Sequence, residues 1–409
     1  MSKYLESLKF VIVGHVDHGK STLIGRILFD TNSLSTDKLN ELKTEKSESQ
    51  SLQFAHLLDQ FEEERLQDLT IDTTQVFFKT KKRDYIIIDA PGHREFIRNM
   101  ITGATQAEAA ILIVDVKEGL KEQTKRHAYF LSILGIEQLI VVINKMDLVG
   151  YKKTNFLKIK NKMKNFLDKV GLKPSFYIPI SSLEGENIAT SSKKMRWYKG
   201  PFLLKSLDML KKRAPPLKKP FVFPVQDIFK LNSKRLILGK IEAGILRRNS
   251  KIKVLPEGKI ATVNSIEKYN VSLKEAKVGE SVGITLKEPI FVERGNIFCL
   301  PNKEPELKNK FKAIVIWLQN TPFNKNLPLY IRCATQKTNC RIEKIIKKID
   351  SENLKIIKEK TLLIKYLEVA EVLIKTKIPL VVKHYNDLPV LGRFVLEDGF
   401  DTCAGGVIL

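Results

Sequence analysis

The chain has 409 residues, more than one ordinary hydrophobic core accommodates, so its length predicts several domains. Hydrophobic residues make up 43% of it, as in water-soluble globular proteins. No apolar run approaches the ~20 residues that a membrane helix needs, and four scattered cysteines are too few for a disulfide scaffold. We therefore expect a soluble, cytoplasmic protein that does not act in the membrane.

The formal net charge of +24 is unevenly distributed along the chain. Residues 1–150 hold 19 basic and 22 acidic side chains, whereas residues 151–350 hold 43 and 16. A basic block of this kind favours contact with RNA or another polyanion. A proteome biased toward lysine would give the same excess without such a contact, so both interpretations stay open.

Apolar strand patterns alternate with helical patterns in the first half of the chain. An amphipathic pattern from Phe156 to Val170 predicts a helix with a lysine-rich outer face. Because strands and helices alternate, we predict a mostly parallel sheet with helices on both faces. The predicted strands are Phe10–Val13, Gln75–Lys79, Tyr85–Asp89, Ala110–Asp115, Gln138–Asn144 and Phe176–Ile180.

The pattern changes near Ala214-Pro215-Pro216, after which short apolar runs are separated by glycine-containing turns. Their spacing is typical of a small β-barrel. A second β-rich block follows the polar stretch 301–310. We predict an α/β domain over residues 1–212 and β-barrels over 213–300 and 301–409. The runs in the first barrel are Phe221–Ile228, Leu236–Ile241, Lys251–Val254, Ile260–Ile266 and Ser281–Leu286.

A phosphate-binding loop is predicted directly after the first strand. Gly-His-Val-Asp-His-Gly-Lys-Ser at residues 14–21 matches G-x-x-x-x-G-K-[ST], between a buried strand and a helix. This geometry directs backbone N–H groups and a helix N-terminus at a polyphosphate. Lys20 would reach the β- and γ-phosphates, and the Ser21 hydroxyl would hold Mg²⁺. The residues predicted to contact the nucleotide here are Gly14, His15, Val16, Asp17, His18, Gly19, Lys20, Ser21 and Thr22.

Further residues complete a predicted triphosphate and Mg²⁺ site. Asp89 ends a strand where an acidic partner of Mg²⁺ is needed, and Thr70 lies in a polar segment suited to coordinate the ion. Gly92 could bring its N–H close to the γ-phosphate. His93 follows at once and is the predicted catalytic residue, because its imidazole can orient the attacking water.

A base-reading segment is predicted at the end of a later strand, where open sheets place their ligands. The carboxylate of Asp147 can accept hydrogen bonds from guanine N1–H and N2–H₂, a pair of donors that adenine lacks. Lys145 can lie along the base, and Asn144 can hold the loop together. The backbone of Ser181, Ser182 and Leu183 is suited to contact guanine O6. The sequence therefore predicts GTP and GDP as ligands.

These motifs resemble the translation-factor GTPases, the superfamily of elongation factor Tu and elongation factor 1-alpha. The resemblance rests on residues 14–20, Asp-Ala-Pro-Gly-His at 89–93, 96–103 and Asn-Lys-Met-Asp at 144–147. It implies an α/β P-loop GTPase domain followed by two all-β barrel domains, with GTP hydrolysis as a conformational switch. It also implies that Val16 and Leu69 flank His93 as an apolar gate and that Asp17 orders the loop.

Other stretches resemble the GTPase subunit of bacterial ATP sulfurylase (sulfate adenylyltransferase subunit 1) more closely. They are residues 20–30, 124–127, 148–151 and 197–201. This resemblance implies a regulatory subunit for sulfate activation, bound to a smaller catalytic adenylyltransferase subunit. That branch commonly has Ser and Asp where this loop has His15 and His18. The alternative, an elongation-factor-like GTPase that acts with tRNA or the ribosome, therefore stays open, and the basic block favours it.

Overall fold

The computed structural model describes residues 7–34, 75–89, 107–212, 216–231, 234–268, 271–325, 327–351, 353–357, 363–399 and 401–409. The described residues form two compact units, and the first comprises the described residues up to 212 together with residues 351 and 353. The second unit contains both β-barrels. Across the described ranges, no helix is both long and apolar enough to cross a membrane.

The first unit is built on a six-stranded sheet of order β2-β3-β1-β4-β5-β6. Strands β1, β3, β4, β5 and β6 are parallel, whereas β2 is an antiparallel edge strand. Every residue of β4 is buried, as expected for a parallel strand covered on both faces. The strands are β1 (Leu8–Gly14), β2 (Gln75–Lys79), β3 (Asp84–Asp89), β4 (Ala109–Asp115), β5 (Gln138–Asn144) and β6 (Phe176–Pro179).

Helices follow the parallel strands along the chain. In the predicted amphipathic helix, Phe156, Ile159, Met163 and Leu167 are buried at three- and four-residue spacing. The described helices of this unit are α1 (Lys20–Asp30), α2 (Glu122–Ile133), α3 (Lys153–Lys169) and α4 (Leu203–Met209), with a 3₁₀ helix at Met146–Val149.

The first barrel is closed by six antiparallel strands, which pair in the order β10-β15-β7-β8-β14-β11 and return to β10. Stacked rings of Phe223 and Phe298 lie in its core, with centroids 5.7 Å apart. The strands are β7 (Val222–Leu231), β8 (Lys234–Lys240), β9 (Ile245–Arg247), β10 (Lys251–Leu255), β11 (Lys259–Lys268), β12 (Val271–Leu273), β13 (Glu275–Lys277), β14 (Ser281–Leu286) and β15 (Ile297–Cys299).

The second barrel is also closed and has the order β16-β19-β18-β17-β20-β21. Trp317 is fully buried in its core and donates a hydrogen bond from Nε1 to the Thr321 carbonyl at 2.8 Å. Its elements are β16 (Glu306–Trp317), β17 (Leu329–Cys333), β18 (Gln336–Ile349), β19 (Val369–Val382), α5 (Pro389–Gly392), β20 (Arg393–Asp398) and β21 (Asp401–Ile408).

The structure confirms the predicted fold class of an α/β domain followed by two β-barrels. The predicted strands of the first barrel are present, and most of them extend one or more residues beyond the apolar run. Strands β9, β12, β13 and β15 were not predicted. Each has three residues, too few for an alternating pattern to stand out.

Candidate nucleotide-binding site

The predicted site residues come together because parallel strands end at one edge of the sheet. Asp89, the last residue of β3, pairs with Ile12, and Gly14, the last residue of β1, pairs with Ile113. One strand further, Asp115 pairs with Asn144, so β4 and β5 end side by side. The segments predicted to bind phosphate, metal and base therefore leave the sheet at the same edge, where open α/β sheets bind ligands.

Two glycines are needed for the shape of the phosphate loop. A Cβ on Gly14 would lie 2.5 Å from the Ile113 carbonyl oxygen. Gly19 has φ +87°, in the left-handed region, and a Cβ there would lie 2.6 Å from Nδ2 of Asn144. A larger residue at either position would displace the loop, so the backbone remains accessible for a close approach by phosphate.

Lys20 folds its side chain across this loop. Its Nζ donates hydrogen bonds to the carbonyls of Gly14 at 3.2 Å and His15 at 2.9 Å. Helix α1 begins here with the bond from the Leu23 N–H to the Gly19 carbonyl at 3.0 Å. At a helix start the preceding N–H groups are not used by the helix itself. A positive side chain and a helix N-terminus thus face the same loop, which suits a polyphosphate.

The two loop histidines direct their rings toward neighbouring elements. Nδ1 of His15 lies 2.6 Å from Oε1 of Gln123 on α2. His18 is fully buried, and its Nδ1 lies 3.3 Å from the Ile113 carbonyl of β4. Burial, the largest effect, lowers the pKa of His18 below its ordinary value. The His15 ring thus contacts α2 and the His18 ring contacts the sheet, so contacts of these two residues with a nucleotide remain a prediction.

Asn144 connects the phosphate loop to the base-reading segment. Its Nδ2 donates to the His18 carbonyl at 2.9 Å. Its Oδ1 accepts from the N–H and the hydroxyl of Ser182, at 3.0 and 2.9 Å. Asn144 and Ser182 are both buried. One amide therefore fixes the separation of the two loops that would hold the ends of a nucleotide.

Asp147 is positioned by the same segment. Ser181 Oγ donates to Oδ1 of Asp147 at 2.6 Å, and the N–H of Met146 bonds to the Ile180 carbonyl at 3.1 Å. An ionised carboxylate offers about four lone-pair sites. Asp147 therefore keeps acceptor capacity for the two guanine donors while the serine orients it.

Lys145 is held by a residue that the sequence analysis did not assign to the site. Its Nζ lies 2.9 Å from Oδ2 of Asp115, and its backbone is left-handed at φ 62°. Burial alone would raise the pKa of Asp115, but hydrogen bonds from Lys145 and from the Lys117 N–H bring it below its ordinary value. An acidic residue ending a buried strand, the pattern used for Asp89, could have identified Asp115.

Of the remaining residues predicted to form the site, some lie within the ranges that the structure describes and others lie outside them. Val16 and Thr22 are half-buried, and Asp17 is exposed with φ 64°. Ser21, Asp89 and Leu183 are half-buried. Thr70, Gly92 and His93, together with the gate residue Leu69, lie outside the described residues, so their roles stay predictions.

A fully buried histidine lies behind the loop. Neither ring nitrogen of His127 on α2 has a hydrogen-bond partner within the described part of the chain, and Thr124 Oγ1 likewise has none there. Burial, reinforced by the positive charge of Lys20, lowers the pKa of His127 to about 3. In the sequence, residues 124–127 carry only a family resemblance and predict no role in the site. Their three-residue spacing on a helix could have shown that Thr124 and His127 share its inner face.

A protein that holds a polyphosphate and distinguishes guanine needs both loops at a fixed separation, as Asn144 provides. The fold and the site thus define a P-loop GTPase domain joined to two β-barrels. The guanine contacts themselves are predictions from the sequence motifs.

The comparisons with known proteins extend this class to a family. Residues 5–219 match the family described as elongation factor Tu GTP binding domain. Residues 219–297 match elongation factor Tu domain 4, and residues 310–409 match GTP-eEF1A C-terminal domain-like. The chain belongs to the elongation factor Tu and elongation factor 1-alpha family of translation-factor GTPases. Membership implies GTP and GDP binding and GTP hydrolysis.

Individual relatives match over almost the whole chain. Elongation factor 1-alpha of Methanocorpusculum labreanum is 37% identical over 98% of this chain and 96% of its own. Elongation factor 1-alpha of Saccharolobus solfataricus is 35% identical over the same shares. The crystal structure of Sup35 complexed with GDP covers 99% of this chain and 94% of its own, at 24% identity and a TM-score of 0.46. The narrower resemblance to the sulfurylase subunit gains no support from these matches.

Proposed function

We propose that this chain is a Mg²⁺-dependent elongation factor that binds the aminoacyl end of tRNA in its GTP state. The observation that carries the proposal is the similarity to elongation factor 1-alpha, which extends over 98% of the chain and so includes both barrels. Similarity confined to the GTPase domain would be compatible with many different partners and would not favour one of them. Similarity across the GTPase domain and both barrels supports the proposal that this chain couples its GTP or GDP state to partner binding in the same way as elongation factor 1-alpha.

The first barrel has a cleft suited to the end of an RNA strand. Its volume is about 800 Å³, within the range of small-ligand sites. Arg235, Arg248 and Lys287 supply positive charge along its wall, and Glu267 supplies an acceptor for hydroxyl or amino groups. Phe291, 65% exposed, lies at its edge with the Arg235 guanidinium 5.6 Å from the ring centroid. An aromatic face beside cations suits a stacked base and its phosphate.

Ser21 and Asp89 are the described residues proposed to hold Mg²⁺. Ser21 lies in the first turn of α1, and Asp89 ends β3 at the same edge of the sheet. Hydroxyl and carboxylate oxygens are the hard ligands that Mg²⁺ prefers. When bound, the ion would neutralise charge on the β- and γ-phosphates.

The second candidate is the regulatory GTPase subunit of sulfate adenylyltransferase, bound to a catalytic subunit. The sequence of residues 197–201 resembles that subunit and so favours this candidate. In the structure, however, Trp197 packs on Phe156 of α3 with centroids 5.4 Å apart, and its Nε1 donates to the Tyr151 carbonyl at 2.9 Å. These contacts account for that stretch through packing within the GTPase domain, so it gives little support to a particular partner.

The test is protection of the aminoacyl ester. The purified chain, loaded with GTP or with GDP, is mixed with aminoacyl-tRNA, and spontaneous hydrolysis of the ester is followed over time. We expect slower hydrolysis with GTP and little protection with GDP. Phe291→Ala should weaken protection. Phe77→Ala removes a comparably exposed phenylalanine, 63% exposed on the edge strand β2, and should have no effect.

The same preparation separates the two candidates. Unprotected ester in both nucleotide states would contradict the proposal. Capture of a small adenylyltransferase from native extract, with formation of adenylyl sulfate that depends on GTP, would establish the second candidate instead.

A further inference from the structure

We infer that Tyr151 is a positioning residue for guanine recognition, acting through the turn at residues 181–186 on the carboxylate of Asp147. Tyr151 ends the stretch 148–151, which directly follows the base-reading segment and which none of the predicted nucleotide contacts uses. The inference rests on the guanine binding within the proposed function and does not depend on tRNA as the partner.

The backbone of Tyr151 closes the loop that carries Asp147. Its N–H donates to the Met146 carbonyl at 2.9 Å, which completes the turn after the 3₁₀ helix at Met146–Val149. Tyr151 has φ 58°, in the left-handed region that bulky residues rarely occupy. Its carbonyl accepts the hydrogen bond from Trp197 Nε1 at 2.9 Å. Contacts on both sides of the residue therefore hold an unfavourable backbone conformation, and conformations of this kind cluster at functional sites.

The side chain of Tyr151 reaches the second base-reading loop. Its hydroxyl donates a hydrogen bond to Oε2 of Glu184, and the same carboxylate oxygen accepts from Nζ of Lys194. The Lys194 ammonium lies 5.0 Å from the centroid of the Tyr151 ring. Burial and the neighbouring Glu184 carboxylate raise the pKa of the Tyr151 hydroxyl, and the hydrogen bond from Lys194 lowers the pKa of Glu184. The tyrosine therefore stays a donor and the glutamate an ionised acceptor at neutral pH.

Glu184 connects this contact to Asp147. Its N–H donates to Ser181 Oγ at 3.2 Å, and Ser181 Oγ donates to Oδ1 of Asp147 at 2.6 Å. Ser181 and Glu186 also exchange two backbone hydrogen bonds, of 3.3 and 3.1 Å, so residues 181–186 form a closed turn. The tyrosine hydroxyl is therefore linked through one turn to the carboxylate predicted to read guanine.

These contacts should affect base recognition more than stability. The side chains of Lys194 and Glu184 are 48% and 38% exposed, and ion pairs at such positions contribute little to the free energy of unfolding. Asp147, in contrast, must keep one orientation to accept hydrogen bonds from both guanine donors. Freedom in the turn at 181–186 would therefore weaken recognition of the base while the domain stays folded.

The experiment compares the affinities of GDP and inosine diphosphate (IDP) for the full-length protein, measured by displacement of a fluorescent GDP analogue with Mg²⁺ present. Hypoxanthine, the base of IDP, keeps the N1–H donor and lacks the 2-amino group. We expect the wild type to bind GDP at least about tenfold more tightly, because IDP loses a hydrogen bond to a charged group. Tyr151→Phe removes only the hydroxyl and should lower this GDP-to-IDP ratio at least about threefold, with an unchanged urea midpoint.

A double-mutant cycle tests the route through Glu184. Glu184→Ala should lower the ratio at least as much as Tyr151→Phe does. Combining the two changes should lower it no further than Glu184→Ala alone, since both break the same contact.

Tyr177→Phe is the matched control, because it removes a tyrosine hydroxyl from β6 of the same domain. Within the described part of the chain, that hydroxyl has no hydrogen-bond partner. The control should keep the wild-type ratio within about twofold.

Four outcomes would overturn the inference. The first is a wild type that does not distinguish GDP from IDP, and the second is a wild-type ratio in Tyr151→Phe. The third is an equal loss of GDP and IDP affinity in that variant, which would show a purely structural role. The fourth is additive losses in the double variant. Because the assay contains no tRNA, failure here leaves the ester-protection result unaffected, and a failure of ester protection leaves the nucleotide ratios standing.

Discussion

Replacing Asn144 by alanine should uncouple the phosphate loop from the base-reading segment. The amide makes three hydrogen bonds, one to the His18 carbonyl and two to Ser182, at 2.9 to 3.0 Å. All three lie in a buried region, since Asn144 is 1% exposed. Removing the amide would leave a carbonyl, an N–H and a hydroxyl without this partner.

The magnitude follows from the count of bonds. A typical intramolecular hydrogen bond contributes about 1 kcal/mol net, and more when its loss leaves a buried group unsatisfied. The Ser182 hydroxyl can rotate toward another acceptor, so we expect a loss of about 2 to 3 kcal/mol in the free energy of unfolding of the first unit. Of the three hydrogen bonds, the one to the His18 carbonyl holds the phosphate loop in place. If its loss lowers the free energy of GDP binding by about 1.4 kcal/mol, GDP binds about tenfold more weakly.

The assay combines urea unfolding with titration of a fluorescent GDP analogue. Gln336→Ala is the matched control, because this buried amide of the second barrel also makes three hydrogen bonds. Its Nε2 donates to Val381 and Cys333 at 3.0 and 3.4 Å, and its Oε1 accepts from the Val381 N–H at 2.8 Å. The control should lose stability and keep its GDP affinity. Wild-type affinity in Asn144→Ala, or an equal loss in the control, would refute the reasoning.

Three further predictions concern the same domain. Gly19→Ala should weaken GDP binding, measured by calorimetry, at least about tenfold. At φ +87° a residue with a Cβ is disfavoured by about 1–2 kcal/mol, and this Cβ would also contact Asn144. Near-normal GDP affinity would contradict this prediction. Asp147→Asn should shift base preference from guanine toward xanthine in competition titrations, and unchanged selectivity would count against the guanine assignment. The pKa of His127 is about 3 in the folded protein, below its value in the unfolded chain. The contribution of neutral His127 to the free energy of unfolding is therefore fully present above about pH 6.5 and is lost as the pH falls toward 3. His127→Leu should remove about 3 kcal/mol of the stability change between about pH 6.5 and about pH 4, and a pH profile identical to wild type would sink this assignment.

The sequence was sufficient for the strand-and-loop framework because the periodicity of buried strands is strong. Val11 to Val13 and Ile140 to Ile143 are apolar without interruption, and each leads into a polar loop at the ligand edge. The end of β3 at Asp89 was likewise visible from Ile86 to Ile88. Three-residue strands such as β12 were not, because they exist only through pairing with a neighbour that is distant in sequence.

The site was predictable in its motif residues and not in its supporting contacts. Motif spacing identified Lys20, Asn144 and Asp147 as candidates. The pairing of Lys145 with Asp115 and the burial of His127 depend on strand register and helix packing. Neither follows from local spacing, because Asp115 is 30 residues away from Lys145 along the chain. The direction of the His15 and His18 side chains toward Gln123 and Ile113 required the folded neighbours in the same way.

The two interpretations of the basic block make different demands on where its charges lie. A compositional bias toward lysine gives no reason for cations to face one another, because opposite placement in a sheet is destabilising. In the second barrel, Lys310, Lys375 and Arg341 nevertheless occupy one cross-strand row that shares the carboxylate of Glu343. The carboxylate lies within 4.0 Å of all three cations, so it offsets their mutual repulsion and lets the row fold without an external partner. The distribution of charge in this row is therefore compatible with a lysine-biased composition as well as with a polyanionic partner.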